Sequence, residues 1–139
     1  MIIAVRIAGQ VNIDGDMKES LFRIRLRKKY AASLIKETPA NLKLLNRIRN
    51  HIAYGPISKE MLETLVKVRG KIKDKKSKAD YSKIVKEIEE KDPENWSIKP
   101  FFSLHPPRGG IDAKLHFGRK KGVLGDNKEQ INKLVERML

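Results

Sequence analysis

The segment Met1-Ile2-Ile3-Ala4-Val5-Arg6-Ile7 opens the chain and decides how the first third of it is interpreted. The segment is mostly apolar and rich in β-branched residues, a pattern typical of a strand that is buried on both faces. Gly9 and the cluster Asp14-Gly15-Asp16 end the pattern, because these residue types favour turns. We therefore expect the chain to begin with a strand over residues 1–7.

Residues 17–29 carry two conflicting signals. Asp16 and Glu19 stand three residues apart and form a capping box, which predicts a helix that begins at Met17. Residues 22–27 alternate between apolar and basic side chains, which is the period of a strand. We predict a helix, because the cap is strong and because straight-chain Arg and Lys favour helices.

Such a helix would arrange its side chains on two faces. Met17, Leu21 and Ile24 would form the buried stripe. Arg23 and Arg27, which are four residues apart, would share one exposed face. The prediction therefore includes a basic helix over residues 17–29.

Two further strands and one helix follow in the first third. Residues 31–37 indicate a second strand, and Thr38-Pro39 is a typical helix start with Thr as the cap and Pro in the first turn. Ile52-Ala53-Tyr54 indicates a third strand. The order strand, helix, strand, helix, strand favours an α+β fold with both helices on one face of a small sheet. The other face would be free to meet a partner.

The remaining chain is predicted to be mainly helical. Ser58 caps a third helix that Gly70 closes, and Asp80 begins a fourth. The lysine-rich stretch 71–79 is either a flexible tether or the end of a helix. Residues 96–104 indicate extended chain.

The last third is predicted to contain two glycine loops and a final helix. His105-Pro106-Pro107-Arg108-Gly109-Gly110 forms the first loop, and a basic glycine loop spans Gly118 to Gly125. Asp126 and Glu129 form a second capping box. The final helix presents its apolar stripe at helical spacing. The stripe consists of Ile131, Leu134, Val135 and Met138.

The charge of the chain indicates a polyanionic partner. Its 139 residues include 31 Lys and Arg against 17 Asp and Glu, a net charge of +14. Residues 1–58 are the most one-sided segment, with 11 basic and 4 acidic side chains. An isolated basic run is usually a solvated face, but several clusters on a short chain favour nucleic-acid binding. Three clusters stand out: Arg23 to Lys29, Lys71 to Lys78, and Arg119-Lys120-Lys121.

Most catalytic chemistries are excluded. The chain has no cysteine, which removes thiolate catalysis and disulfides and fits a reducing compartment. Its three histidines lack helical ligand spacing, so we expect no metal. Gly118 to Gly122 lacks the Gly-Lys-Ser/Thr ending of a phosphate loop. Val5 to Val11 resembles the opening of acylphosphatases, but Asp14 and Asp16 would repel the phosphate that those enzymes bind. The residues therefore fit a binding module better than an enzyme.

The expected location and binding mode follow from the same composition. No run of 18 apolar residues could span a bilayer, and the N-terminus lacks the features of a signal peptide, so we expect a cytoplasmic protein. Aromatic residues make up only 6% of the chain, and no aromatic stacking motif for single-stranded RNA is present. Recognition of folded RNA through shape and phosphates is therefore the prediction, and a DNA-binding chromatin protein is the alternative.

Several segments resemble one ribosomal family. Leu104 to Gly110, with its His-Pro-Pro-Arg-Gly-Gly core, is similar to a loop of the archaeal, longer form of large-subunit ribosomal protein L-thirty, whose eukaryotic relative is L-seven. Residues 1–57 resemble the part of that family shared with bacteria, and residues 131–138 resemble its C-terminus. Lys43 stands where the family often has glycine after Thr-Pro, and residues 71–79 have no counterpart that can be matched.

The resemblance implies a structural constituent of the large ribosomal subunit that binds ribosomal RNA and neighbouring ribosomal proteins, with no membrane or small-molecule partner. It implies no enzymatic activity and no cofactor. It also implies a ferredoxin-like β-α-β-α-β core with a three-stranded sheet over residues 1–57. A helical and loop extension over residues 58–139 would pack on this core as a single structural unit. The resemblance and the basic clusters together give the predicted RNA-binding residues. These are Arg23, Arg25, Arg27, Lys28, Lys29, Lys43, Arg47, Arg49, His105, Arg108, Gly109, Gly110, Arg119, Lys120 and Lys121.

Overall fold

The computed structural model describes residues 1–73 and 80–139 and shows an α+β protein built on one six-stranded sheet. Most of the lysine-rich stretch 71–79 therefore lies outside the described residues. The strands are β1 (Ile2–Arg6), β2 (Ala31–Ile35), β3 (Ile52–Pro56), β4 (Phe101–Ser103), β5 (Ala113–His116) and β6 (Gly122–Asp126). The α-helices are α1 (Gly15–Arg23), α2 (Pro39–Arg47), α3 (Lys59–Arg69), α4 (Tyr81–Glu90) and α5 (Ile131–Glu136), the last preceded by a 3-10 turn at Lys128–Gln130.

The first third has the predicted element order. Strand β1 pairs antiparallel with β2 on one side and with β3 on the other, and all five of its residues are buried. Thr38 caps α2 by accepting a hydrogen bond from the Asn41 amide, with Pro39 in the first turn as predicted. The β-α-β-α-β order over residues 2–56 is therefore correct.

The prediction of a three-stranded sheet is wrong, because the rest of the chain adds three strands. The strand order is β4-β2-β1-β3-β6-β5, so the later strands extend the sheet at both edges. Strand β4 pairs antiparallel with β2, and β6 pairs parallel with β3. The basic glycine loop predicted for Gly118–Gly125 is correspondingly shorter, since Gly122–Asp126 is strand β6.

The predicted free face of the sheet does not exist. Alternate residues of β1 face opposite layers: Ile2 and Ala4 pack with residues of α1 and α2, whereas Ile3 and Val5 pack with residues of α3, α4 and α5. The second core includes Ile84, Val85 and Ile88 of α4 and the predicted C-terminal stripe Ile131, Leu134, Val135 and Met138. Helices thus cover both faces of the central strands.

Helix α1 is much shorter than predicted. It ends at Arg23, and Arg25 adopts a left-handed φ of 64°. The Leu26 amide donates to the Leu21 carbonyl and the Arg25 amide to the Phe22 carbonyl, both at 2.9 Å, which is the pattern of a Schellman motif. Leu21 and Leu26 are fully buried in one cluster, and this contact closes the helix even though no glycine is present.

Both predicted capping boxes are wrong. Helix α1 begins at Gly15 with Asp14 at the N-cap position, which places Asp16 inside the first turn. The Asp126 carboxylate instead accepts from the Lys128 amide at 2.9 Å in a local turn. By contrast, Ser58 caps α3 through the Met61 amide as predicted.

Candidate nucleic-acid interface

All fifteen residues predicted to bind RNA are solvent-exposed, and they lie in three places on the surface. The first place is the end of α1, with Arg23, together with the segment that joins α1 to β2, which we call the α1–β2 loop (residues 24–30). Because α1 ends at Arg23, the expected helical face shared by Arg23 and Arg27 is wrong. Arg25, Arg27, Lys28 and Lys29 are loop residues.

The α1–β2 loop is held from inside by Arg6. This arginine is fully buried in β1, and its guanidinium donates to four backbone carbonyls. The acceptors are Ala8 at 3.1 Å, Gly9 at 2.9 Å, Leu26 at 2.8 Å and Arg27 at 3.0 Å. Burial lowers the pKa of Arg6. No carboxylate pairs with it among residues 1–73 and 80–139, so its charge-assisted bonds all go to backbone carbonyls, two in the α1–β2 loop and two just after β1.

Cations of the α1–β2 loop also lie over aromatic rings. The Arg27 guanidinium is 5.5 Å from the centre of the Phe22 ring, and the Lys29 ammonium is 4.7 Å from that of Tyr30. Such contacts hold long side chains in place without neutralising their charge. The charges of Arg27 and Lys29 therefore remain available to an anion.

The second place combines the end of α2 with the turn before β6. Arg49 and Arg119 line one open cavity of about 450 Å³ together with Tyr54, His116 and Asp126. Burial and then the negative charge of Asp126 raise the pKa of Tyr54. The structure therefore joins two basic clusters that are 70 residues apart in sequence.

The second place also includes exposed cations on α2 and in the turn before β6. Lys43 and Arg47 extend along α2, and the Arg47 guanidinium lies 3.4 Å from the Asp16 carboxylate. Lys120 and Lys121 both have positive φ, at 39° and 58°. Left-handed backbone is unfavourable for residues with long side chains, so this turn stores strain while it presents two charges.

The third place is the loop His105–Gly110, which we call the Pro/Gly loop. Its backbone is tied to the C-terminal end of the chain: the Arg108 amide donates to the Arg137 carbonyl at 2.9 Å, and the Arg137 side chain donates to the carbonyls of Arg108 and Gly110. Gly109 and Gly110 have φ of 78° and 73°, so the turn itself requires glycine. The Gly110 amide donates to the Pro107 carbonyl and is therefore not free to bind phosphate.

The first and third places are neighbours. The Leu104 amide donates to the Tyr30 carbonyl at 3.0 Å, so the Pro/Gly loop begins beside the end of the α1–β2 loop. The Arg108 guanidinium is exposed and has no hydrogen-bonding partner among the described residues. The structure thus brings His105 close to the basic segment that ends at Lys29.

Comparison with known proteins identifies the family. No protein-family model matches the chain. Curated relatives span nearly its whole length: the large ribosomal subunit protein uL30 of Archaeoglobus fulgidus is 33% identical over 153 aligned positions, which cover 99% of each chain. The uL30 protein of Ignicoccus hospitalis is 34% identical, covering 100% of this chain and 98% of its own.

The chain belongs to the uL30 family of large ribosomal subunit proteins. The uL30 protein of Aeropyrum pernix, 32% identical over 97% of this chain, agrees with this assignment. The family resemblance read from the sequence is therefore confirmed, including its archaeal type.

Two arginines of this uL30 chain were missed by the sequence analysis. Arg6 and Arg137 shape the α1–β2 loop and the Pro/Gly loop, respectively, by donating to their carbonyls. One signal could have identified Arg6, because a single charge in an otherwise apolar buried strand must find internal partners. Arg137 carries no comparable signal, since it is exposed at the end of α5, where an arginine is ordinary.

The part of the uL30 chain that the structure describes contains neither a metal site nor a membrane-spanning helix. Among the described residues, no group of three or more acidic, histidine or cysteine side chains is placed to hold a metal ion. None of the helices formed by these residues is long and apolar enough to cross a membrane.

Proposed function

We propose that this protein is a structural constituent of the large ribosomal subunit that binds ribosomal RNA and acts without catalysis or a cofactor. The observation that carries the proposal is the similarity to uL30 proteins, which covers 99–100% of this chain and 98–99% of two archaeal relatives. The relatives are ribosomal proteins, and the ribosome is accordingly where we expect this chain to reside.

The three exposed places described above are the proposed RNA contacts. Lysine and arginine bind phosphates, and contacts to phosphates fix the position of a protein on folded RNA. Two of the predicted arginines already form surface ion pairs: Arg23 with Glu19 at 2.7 Å and Arg47 with Asp16 at 3.4 Å. Exposed pairs of this kind contribute little stability, so phosphates can replace the carboxylates at small cost.

We further propose that residues 1–57 and 58–139 fold as a single unit, with neighbouring ribosomal proteins as additional partners. Three observations support one unit. Ser33 of β2 donates its hydroxyl proton to the Pro100 carbonyl at 3.2 Å, and β6 extends the sheet beyond β3. The residues that cover one face of β1 come almost entirely from the second segment.

The experiment measures co-sedimentation of the protein with ribosomal subunits and the competition of different nucleic acids for its binding site. We expect the tagged protein to co-sediment with large ribosomal subunits after a moderate salt wash, and compact ribosomal RNA to compete far better than duplex DNA of equal length. If about 6–10 phosphates are engaged, affinity should fall roughly a thousandfold between low and moderate salt. Equal competition by duplex DNA would favour the chromatin alternative, and an affinity that hardly changes with salt would contradict the phosphate contacts.

A further inference from the structure

A cationic groove lies at the edge of the sheet where the helices end. Two helices packed side by side, each about 10 Å wide, cover roughly four strands at 4.8 Å spacing, whereas this sheet has six. Strand β4 at the edge is therefore left partly uncovered on the side of α1 and α2. The result is an open groove of about 460 Å³.

The floor of the groove is apolar and includes one aromatic ring. Phe101 pairs in register with Ser33, and Ser103 with Ala31, whose side chain packs in the layer of α1 and α2. Phe102, the intervening residue, is buried in the opposite layer. Half-buried Phe101 therefore belongs to the face of the sheet that carries the groove, and it lines the groove together with Ala31.

The walls of the groove are positively charged, and none of the described residues that line it is acidic. Five cationic side chains line it: Arg25, Arg27, Lys28, Lys73 and Lys99. The cavity beyond Pro100 is different, because Asp92 and Glu94 line it. Arg23, Arg25 and Lys36 also line that cavity, but its two carboxylates offset most of their charge, so an anion is favoured more strongly in the groove at β4.

Both walls have backbones fixed by hydrogen bonds. Arg6 holds the wall formed by the α1–β2 loop. On the other side, the Lys99 amide donates to the Lys71 carbonyl and the Lys73 amide to the Ser97 carbonyl, both at 2.9 Å. A groove with fixed walls loses little entropy when a ligand binds.

We propose that this groove binds one unpaired nucleotide of the ribosomal RNA, with the base against Phe101 and the flanking phosphates on the cationic walls. The proposal rests on the proposed function and adds a site to it. The volume lies within the range of small-ligand sites, roughly 300–1,000 Å³, and is far too small for an RNA helix. An aromatic ring surrounded by cations is the combination that binds single bases with their phosphates. Lys73, Lys99 and Phe101 thereby join the RNA-binding residues.

The test compares two RNA hairpins that differ only in one bulged adenosine, each labelled at its end with fluorescein and titrated with the protein at fixed salt. The wild-type protein should bind the bulged hairpin about tenfold more tightly than the fully paired one, which is the effect of one stacked base. Phe101→Leu, which keeps an apolar floor but removes the ring, should abolish this preference and leave affinity for the paired hairpin unchanged.

Two variants keep the test decisive. Tyr81→Leu replaces an exposed aromatic residue of α4 that does not line the groove, so it should retain the preference. Lys99 is exposed, so Lys99→Gln should leave the melting temperature unchanged and weaken binding of the bulged hairpin severalfold. Equal binding of both hairpins by the wild type, or an unchanged preference in both Phe101→Leu and Lys99→Gln, would overturn this site alone. Failure to bind either hairpin would overturn the proposed function as well.

Discussion

The α1–β2 loop and the Pro/Gly loop are both basic, exposed and held by one arginine, but the two arginines lie in opposite environments. Arg6 is fully buried within the sheet and donates to four carbonyls, whereas Arg137 is exposed at the end of α5 and donates to two. A buried carbonyl that loses its donor remains unsatisfied, while an exposed one is hydrated. Loss of Arg6 should therefore destabilise the whole fold, whereas loss of Arg137 should affect only the order of the Pro/Gly loop.

The largest effect is expected from Arg6→Ala. Removal of the guanidinium leaves several carbonyls without donors, and at least one of these carbonyls is buried. The free energy of unfolding should therefore fall by ~3 kcal/mol or more. Urea denaturation followed by circular dichroism measures this loss. Arg6→Lys is the matched control, because it keeps the charge but cannot reach four acceptors in forked geometry, and it should recover only part of the stability. An Arg6→Ala protein as stable as the wild type would show that solvent replaces Arg6.

The next effect concerns affinity at the Pro/Gly loop. Arg108→Ala should weaken binding to large-subunit RNA by ~1.5–3 kcal/mol, because a charge-assisted contact to phosphate is lost. Its guanidinium makes no hydrogen bond within the described residues, so stability should not change. Filter binding gives the affinity and thermal melting the stability. Lys67→Ala, at an exposed position of α3, is the control and should bind normally. Normal binding by Arg108→Ala would mean that this loop is only a turn.

A smaller effect is expected from Arg137→Ala, which tests the comparison directly. Loss of the bonds to the Arg108 and Gly110 carbonyls should weaken RNA binding by ~1 kcal/mol and change the free energy of unfolding by less than that. If Arg137 acts by positioning the loop, its effect should vanish in an Arg108→Ala background. Additive losses in this double-mutant cycle would instead indicate that Arg137 contacts RNA itself.

The smallest effect is a pH dependence near Arg6. Burial and then the charge of Arg6 lower the pKa of His51, which Asp14 only partly opposes. The unfolded chain therefore binds the proton first, at its ordinary pKa of about 6.5, and stability falls as the pH drops through the lowered value. His51→Gln should flatten the decline in unfolding free energy between pH 7 and 5.5. An identical decline in both proteins would assign it to other groups.

Local signals correctly predicted those elements that are stabilised by residues close to them in sequence. Thr38 and Ser58 cap the helices that follow them, because each hydroxyl binds an amide three residues away. The spacing of Ile131, Leu134, Val135 and Met138 likewise specified the buried side of the last helix. The Pro/Gly loop was assigned by its resemblance to the uL30 family.

The end of α1 could not be predicted from local signals. Residues 22–29 are compatible with a helix, and no glycine marks the position at which Arg25 turns left-handed. The helix ends there because Leu21 and Leu26 pack together in the core beneath it, and because Arg6 binds the Leu26 and Arg27 carbonyls of the loop that follows. Both causes depend on contacts with the sheet.

The sequence by itself therefore determined the family, the β-α-β-α-β order of the first third, and the positive charge that indicates RNA. Each of these depends on residue types and short spacings, which do not require tertiary structure. The tertiary structure alone decided the six-stranded sheet, the covering of both its faces, and the groove at Phe101, which needs Arg25, Lys73 and Lys99 from three separate segments. Long-range strand pairing brings such residues together. The free energy of that pairing comes from apolar surface buried between segments that are distant in sequence, and neither segment's own sequence indicates which other segment it will pair with.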